Sequence, residues 1–230
     1  MRFSGQNSIR ATVRIFVGIL LCSLCMAIVS LAQERYVMPV DEAGQDPSFL
    51  AFRNKLIAAA EKRDLGYVKS IMDRNIKLSF GGHTGVKDFD KLWADKGEFW
   101  REFLVVIKNG GHWQREAGRR QNLFTAPYSF QGFPDEFDAF DHFVIFGSNV
   151  NLRSGPSTES TVKGSLSYNI VKLDDAPINQ ETNSQWYKVT TLGGKSGFVH
   201  RDYVRSPIHL RAGFEKTGGR WRMIFFISGD

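Results

Sequence analysis

Asn149-Val150-Asn151-Leu152-Arg153-Ser154-Gly155-Pro156-Ser157 opens the most regular part of this chain of 230 residues. Val150 and Leu152 alternate with polar neighbours, the period of a half-buried strand, and Gly155-Pro156 supplies the turn that ends it. Outward from this point the texture stays the same. Strand candidates follow at 144–146, Leu152, 162–166, 170–173, 186–190 and 197–199, each closed by turn residues such as Gly193-Gly194. Short strands at this spacing predict a small β-barrel over residues 143–205.

The quoted segment resembles the opening of bacterial SH3 domains, the SH3b family. The resemblance continues in order through Val162-Lys163-Gly164-Ser165-Leu166, Trp186-Tyr187-Lys188-Val189, Gly193-Gly194-Lys195-Ser196-Gly197-Phe198-Val199-His200 and Asp202-Tyr203-Val204. It covers about residues 144–205 and departs from the family in a long polar insert between Leu173 and Trp186. The resemblance implies an SH3-like barrel and a role in tethering exported proteins to peptidoglycan or in binding peptides.

The residues before this segment read as a mixed α+β domain over 46–142. Residues 33–45 lack apolar periodicity and are expected as a flexible leader. Asp46 is a good N-cap and Pro47 suits the first helical position, after which Phe49, Phe52, Leu56 and Ala60 lie on one helix face to about Lys62. Asp64 begins a shorter helix with Val68, Ile71 and Met72 inward, and Ile76, Leu78 and Phe80 alternate as a strand. A short helix over 88–93 and a stronger one carrying Phe99, Trp100, Phe103, Leu104 and Ile107 end at Asn109-Gly110-Gly111. Residues 115–141 read as an ordered connection. Residues 208–215 and 220–227 flank Lys216-Thr217-Gly218-Gly219 as a hairpin.

A fainter resemblance joins residues 46–111 to the terminal segment 206–230. Residues 49–93, with Ser79-Phe80-Gly81-Gly82, look like the start of an NTF2-like cone, and 214–226, with Gly219-Arg220-Trp221, look like its last two strands. On that reading the hairpin completes the first domain and the barrel is inserted. An isolated hairpin carrying Trp221, Met223, Ile224, Phe225 and Phe226 would otherwise expose too much apolar surface. The weak point is the middle of the cone, since 112–142 supplies few convincing strands.

At the N-terminus Arg2, Arg10 and Arg14 precede an apolar run from Ile15 to Leu31, and Ser30-Leu31-Ala32 reads as a small-x-small cleavage signal. Residues 1–32 are therefore expected as a cleaved signal peptide, placing the protein in the periplasm or cell envelope. Neither Cys22 nor Cys25 follows a small residue, which argues against a lipid anchor. Both cysteines lie in the segment expected to be removed, so the remainder has neither disulfide nor thiol nucleophile. The formal charge of +6 includes the three signal arginines. What remains is too mildly basic to predict nucleic-acid binding.

Trp186 and Tyr203 are the first ligand-binding candidates, because an aromatic pair on a strand surface offers a flat platform to a sugar or a peptide. The same pair could instead pack the barrel edge. The segment 197–204 also looks like the end of eukaryotic SH3 domains, where such a tyrosine and tryptophan line the peptide groove, and His200 stands where that family has proline. Arg153 could meet a stem-peptide carboxylate or serve as a structural arginine in its turn. Arg201, Arg205, Arg211, Arg220 and Arg222 could give weak contact with an anionic surface, or simply be solvated.

Metal and cofactor sites are not expected. Asp135, Glu136, Asp138 and Asp141 fail the calcium-loop pattern because Phe137 and Phe140 fall between them. His83, His112, His142, His200 and His209 show no zinc spacing. No nucleophile elbow or phosphate loop is present. The expectation is a non-catalytic envelope protein that binds peptidoglycan or a peptide. A partner-binding subunit of an envelope complex is the second reading. The third is a small cone enzyme using His83 or Asp88 as general base.

Overall fold

The computed structural model describes residues 33–174 and 185–230. The expected signal peptide and most of the polar insert before Trp186 lie outside the described residues. The architecture is mixed α+β and contains two sheets.

The first part begins with α1 (Pro47–Glu61), whose N-cap Asp46 accepts from the backbone N–H groups of Ser48 and Phe49 at 2.9 and 3.1 Å. Next come α2 (Leu65–Ser70), β1 (Met72–Lys77), α3 (Gly85–Leu92), α4 (Lys96–Lys108), β2 (His112–Glu116) and β3 (Arg119–Ala126). The inward residues of the helices are the apolar ones. Phe49, Leu56 and Ala60 of α1 and Phe99, Phe103 and Ile107 of α4 are fully buried, because an apolar stripe at helical spacing must find a partner surface. The strand expected through Ile76, Leu78 and Phe80 starts earlier. Its register is broken between Met72 and Lys77, and Phe80 is 58% exposed beyond its end.

Residues 115–141, expected as a connection, instead supply part of a sheet. β2 and β3 form an antiparallel hairpin about Ala117 and Gly118, both with positive φ, as the tight hairpin turn requires. Strands β11 (Arg211–Thr217) and β12 (Arg220–Ile227) complete this sheet in the order β1-β12-β11-β3-β2, with β12 parallel to β1 and antiparallel to β11. Trp221, Met223 and Phe226 thereby enter the same core as Phe49, Phe103 and Phe124.

Between β3 and β11 the chain makes α5 (Tyr128–Gln131), β4 (His142–Ile145), β5 (Val150–Arg153), β6 (Val162–Leu166), β7 (Ile170–Leu173), β8 (Trp186–Thr191), β9 (Ser196–His200), a 3-10 turn (Arg201–Tyr203) and β10 (Val204–Arg205). These strands pair in the order β10-β4-β7-β8-β9-β5-β6 around a core of Ile145, Val150, Leu152, Leu166, Val171, Val189 and Val199. Among the described residues no pairing joins β10 to β6, so the ladder is open where the sequence predicts a closed barrel. β10 has only two residues, and four of the five residues of β6 are exposed.

The expected flexible leader is also corrected. Val37 and Ala43 are buried, Gly111 N donates to Val40 O at 2.9 Å, and Glu42 N donates to Gly111 O at 3.0 Å. Asp41 takes both arms of Arg53 at 2.6 Å, and Arg53 itself is 7% exposed. Sequence periodicity misses this segment because isolated buried residues and polar anchors, not a continuous apolar face, hold it.

Burial alone would push the Asp41 carboxyl up, but the Arg53 hydrogen bonds, the Ala43 N–H and the Arg53 charge outweigh it and hold it below its usual value. The folded state therefore binds this proton less readily than the unfolded chain. Its stabilisation is fully present above the unfolded pKa and is lost as pH falls through the folded one. Asp41→Asn is expected to cost about 2 kcal/mol at neutral pH, the scale of hydrogen bonds to a buried guanidinium. The same variant should lose less than the parent on acidification below about pH 4. Urea titrations at both pH values measure each effect.

Candidate functional site

The strongest candidate surface is the outer face of β8 and β9. Successive residues of a strand point to opposite sides, so while Val189 and Val199 turn into the core, Trp186, Lys188 and Thr190 turn outward. Their cross-strand partners on β9 are His200, Phe198 and Ser196. Arg153 of β5 pairs with Phe198 and extends the same row.

At one end of this row three rings meet. The Trp186 and His200 rings stand edge-on at 5.3 Å between centroids and 90° between planes, and His200 lies 6.5 Å from Tyr203 at 67°. Tyr203 is 47% exposed. The 3-10 turn places it there, and His200 caps that turn by accepting from Asp202 N at 3.4 Å through Nδ1. The Asp202 carboxylate also stands 3.4 Å from that nitrogen. A half-exposed ring cluster with a hydrogen-bonding edge can stack on a sugar or a proline-rich peptide and donate one hydrogen bond to it.

Arg153 is not part of that cluster. Its Nη1 donates to Ser160 O at 2.8 Å and closes the loop between β5 and β6, which is a structural use of the guanidinium. Phe198, partly exposed between Arg153 and Lys188 in the row, is the site residue that sequence reasoning passed over. Its alternation with Gly197 and Val199 was the available signal, but alternation alone does not tell which face is inward.

The five arginines do not assemble into a patch. Arg205 has its guanidinium donating to Leu210 O at 2.6 Å and standing 3.8 Å from Glu102. Arg211 is buried and donates to Ile208 O and Gly229 O, and Arg222 donates to Ser70 O. Arg201 and Arg220 alone of the five are exposed. The correction is physical: neighbours along two strands alternate sides, and orphan carbonyls at strand ends consume the inward cations.

The acidic loop is likewise engaged. Glu136 pairs with Arg35, Asp141 with Lys172 and His142, and the Asp138 carboxylate accepts from Phe140 N. Of the residues considered for a cone-type general base, His83 lies on an exposed turn with Nδ1 2.9 Å from Ser79 Oγ, and Asp88 lies in the first turn of α3, accepting from Thr84 N at 3.0 Å.

Neither a curated protein nor a solved structure matches the chain. A family model does match one part of it. Residues 148–205, the segment that contains the ring cluster and the strands beneath it, match the bacterial SH3 domain, and the chain carries a domain of that family there.

Proposed function

We propose that this is an exported, non-catalytic envelope protein that binds peptidoglycan or an envelope peptide through the outer face of β8 and β9. The carrying observation is the ring group of exposed Tyr203 with the half-buried Trp186 and His200, within the segment matched by the bacterial SH3 family. Such domains commonly bind wall material or peptides, and the ring cluster supplies the chemistry for either. On this reading the open ladder from β4 to β10 is the SH3-like binding part, and the helices with the five-stranded sheet serve as an NTF2-like scaffold. Removal of residues 1–32 near Ala32 delivers the chain to the periplasm or cell envelope.

Retention on purified sacculi tests the reading. Trp186→Ala with Tyr203→Ala is expected to lower retention at least about tenfold, since aromatic anchors at the centre of a contact contribute most of its affinity. Phe198→Ala should give a smaller loss, and Arg201→Ala with Arg220→Ala almost none at physiological salt. Equal retention of the ring double variant and the parent would remove this face from the mechanism.

A partner-binding role in an envelope complex has one observation in its favour. Tyr36, Met38 and Val40 stand 50, 59 and 39% exposed on alternate residues of an extended segment, an apolar row open to a second protein. Crosslinking in cells from these positions tests that role.

A further inference from the structure

Residues 34–42 run from one sheet to the other. At their first end they lie beside the start of β7, where Val37 N donates to Tyr168 O and Ile170 N donates to Arg35 O, both at 2.8 Å. The Glu34 carboxylate enters a small cup on the same surface. Thr191 Oγ1 donates to it at 2.8 Å, Asn169 Nδ2 at 3.2 Å, and Lys195 Nζ stands 3.9 Å away. Thr191 and Asn169 are 3 and 4% exposed, so two buried side chains aim their polar atoms at one carboxylate.

Gly193 makes room for that carboxylate. A Cβ on this residue would stand 2.6 Å from Glu34 Oε1. Three residues further on, Val37 is buried with Tyr128, Val144 and Ile170. At the other end Val40 and Glu42 bond Gly111, Asp41 holds Arg53, and the Glu42 carboxylate accepts from Trp113 N at 2.9 Å. One extended segment therefore pairs with the start of β7, just past the last β8 pair at Val171 and Thr191, and with Gly111 ahead of the edge strand β2.

We propose that Tyr168 to Ile170, with Thr191, Gly193 and Lys195, form a strand-addition site for a segment carrying a carboxylate three residues ahead of a valine. Residues 34–42 occupy it as a clasp that couples the seven-stranded sheet to the five-stranded one. Strand addition of this kind takes its affinity from backbone hydrogen bonds and its selectivity from pockets for alternate side chains. Here the pockets are the cup for Glu34 and the slot for Val37. The site is separate from the ring cluster, because Trp186 begins β8 and Thr191 ends it, about 16 Å apart at the usual rise per residue.

Other ties among the described residues include Arg205, 3.8 Å from Glu102, and Tyr128, which stacks on Phe146 at 5.2 Å and shares an apolar cluster with Val144 and Ile170.

The test uses a chain of residues 33–230 with a protease site inserted at Gly44, where an added Cβ meets nothing within 4 Å. After folding and cutting, the clasp is held only by its contacts. A fluorescent peptide of the sequence of residues 34–42 is expected to replace it saturably. Peptides carrying Glu34→Gln or Val37→Ser should compete at least about tenfold less well, as loss of a charged hydrogen bond or a buried side chain implies.

In the uncut chain, Glu34→Gln should raise hydrogen exchange at the Val37 and Ile170 amides by about tenfold, with retention on sacculi unchanged. Failure of the peptide to enter, or entry without preference between the three sequences, overturns the proposal. So does unaltered exchange at those amides in the Glu34→Gln chain. Loss of sacculus binding in the ring variants leaves this result untouched, so the two readings fail separately.

Discussion

Phe49→Ala is expected to destabilise the fold by about 4 kcal/mol, the scale for truncating a fully buried phenylalanine. Phe49 sits at the centre of the first core. Its ring lies 5.2 Å from Trp113, 4.4 Å from Phe124, 5.8 Å from Phe214 and 4.9 Å from Trp221, so one side chain touches α1's partners on β2, β3, β11 and β12 together. Rings packed edge-on or tilted from four strands cannot all move into one vacated volume, and the cavity term therefore adds to the lost burial. Denaturant titration followed by tryptophan fluorescence measures the change. Phe52→Ala, at a partly buried position on the same helix, should lose less than half as much. Equal losses at the two positions would show that the core is not organised around Phe49.

Gly111→Ala should be at least as damaging, with a loss above about 4 kcal/mol, in the range reserved for backbone conflicts at special positions. Gly111 has φ of 154°. A Cβ there would stand 2.1 Å from Thr125 O and 2.8 Å from the Phe124 ring. The same residue exchanges backbone hydrogen bonds with Val40 and Glu42 on its other side. Any movement that relieves the clash with β3 must therefore break the tie to residues 40–42. Gly44→Ala is the matched control, because its added methyl enters open space. Thermal melts of the two variants should differ widely, and similar melting points would refute the assignment.

What could be read from the chain and what could not divides along physical lines. The segment around Asn149 to Ser157 announced itself because turn residues and period-two alternation are local signals, and the family match over 148–205 agrees. The helices α1 and α4 were equally legible, since each carries a continuous apolar stripe ending in a cap. The β2–β3 hairpin was not. Its tip is Ala117-Gly118, a weaker turn signal than Asn-Gly, and Arg115, Arg119 and Arg120 face solvent on its outer half. Residues 34–42 were missed for a different reason: the polar anchors Asp41, Glu42 and Glu34 find partners 12, 71 and 157 residues further along the chain, which no local periodicity records.

The candidate site shows the same division. Trp186, His200 and Tyr203 are singled out by the SH3 resemblance and aromatic chemistry, not by a local signal, and their rings adjoin where β8, β9 and the 3-10 turn meet. The grouping of five arginines failed because charge along a chain says nothing about which side of a strand each cation occupies. Arg211, bonded to two carbonyls at 2.8 Å, is as much a core residue as its apolar neighbours.

The pairing of Ala126 with Ala212 in adjacent strands has a wider meaning. Everything between those two residues leaves the five-stranded sheet and comes back to it one strand away, so the entire excursion occupies the place of an ordinary hairpin loop. A host that tolerates a cassette at such a point can exchange it for another of similar exit width. The replacement would also have to receive residues 34–37, which pair with β7, or leave them without a partner strand.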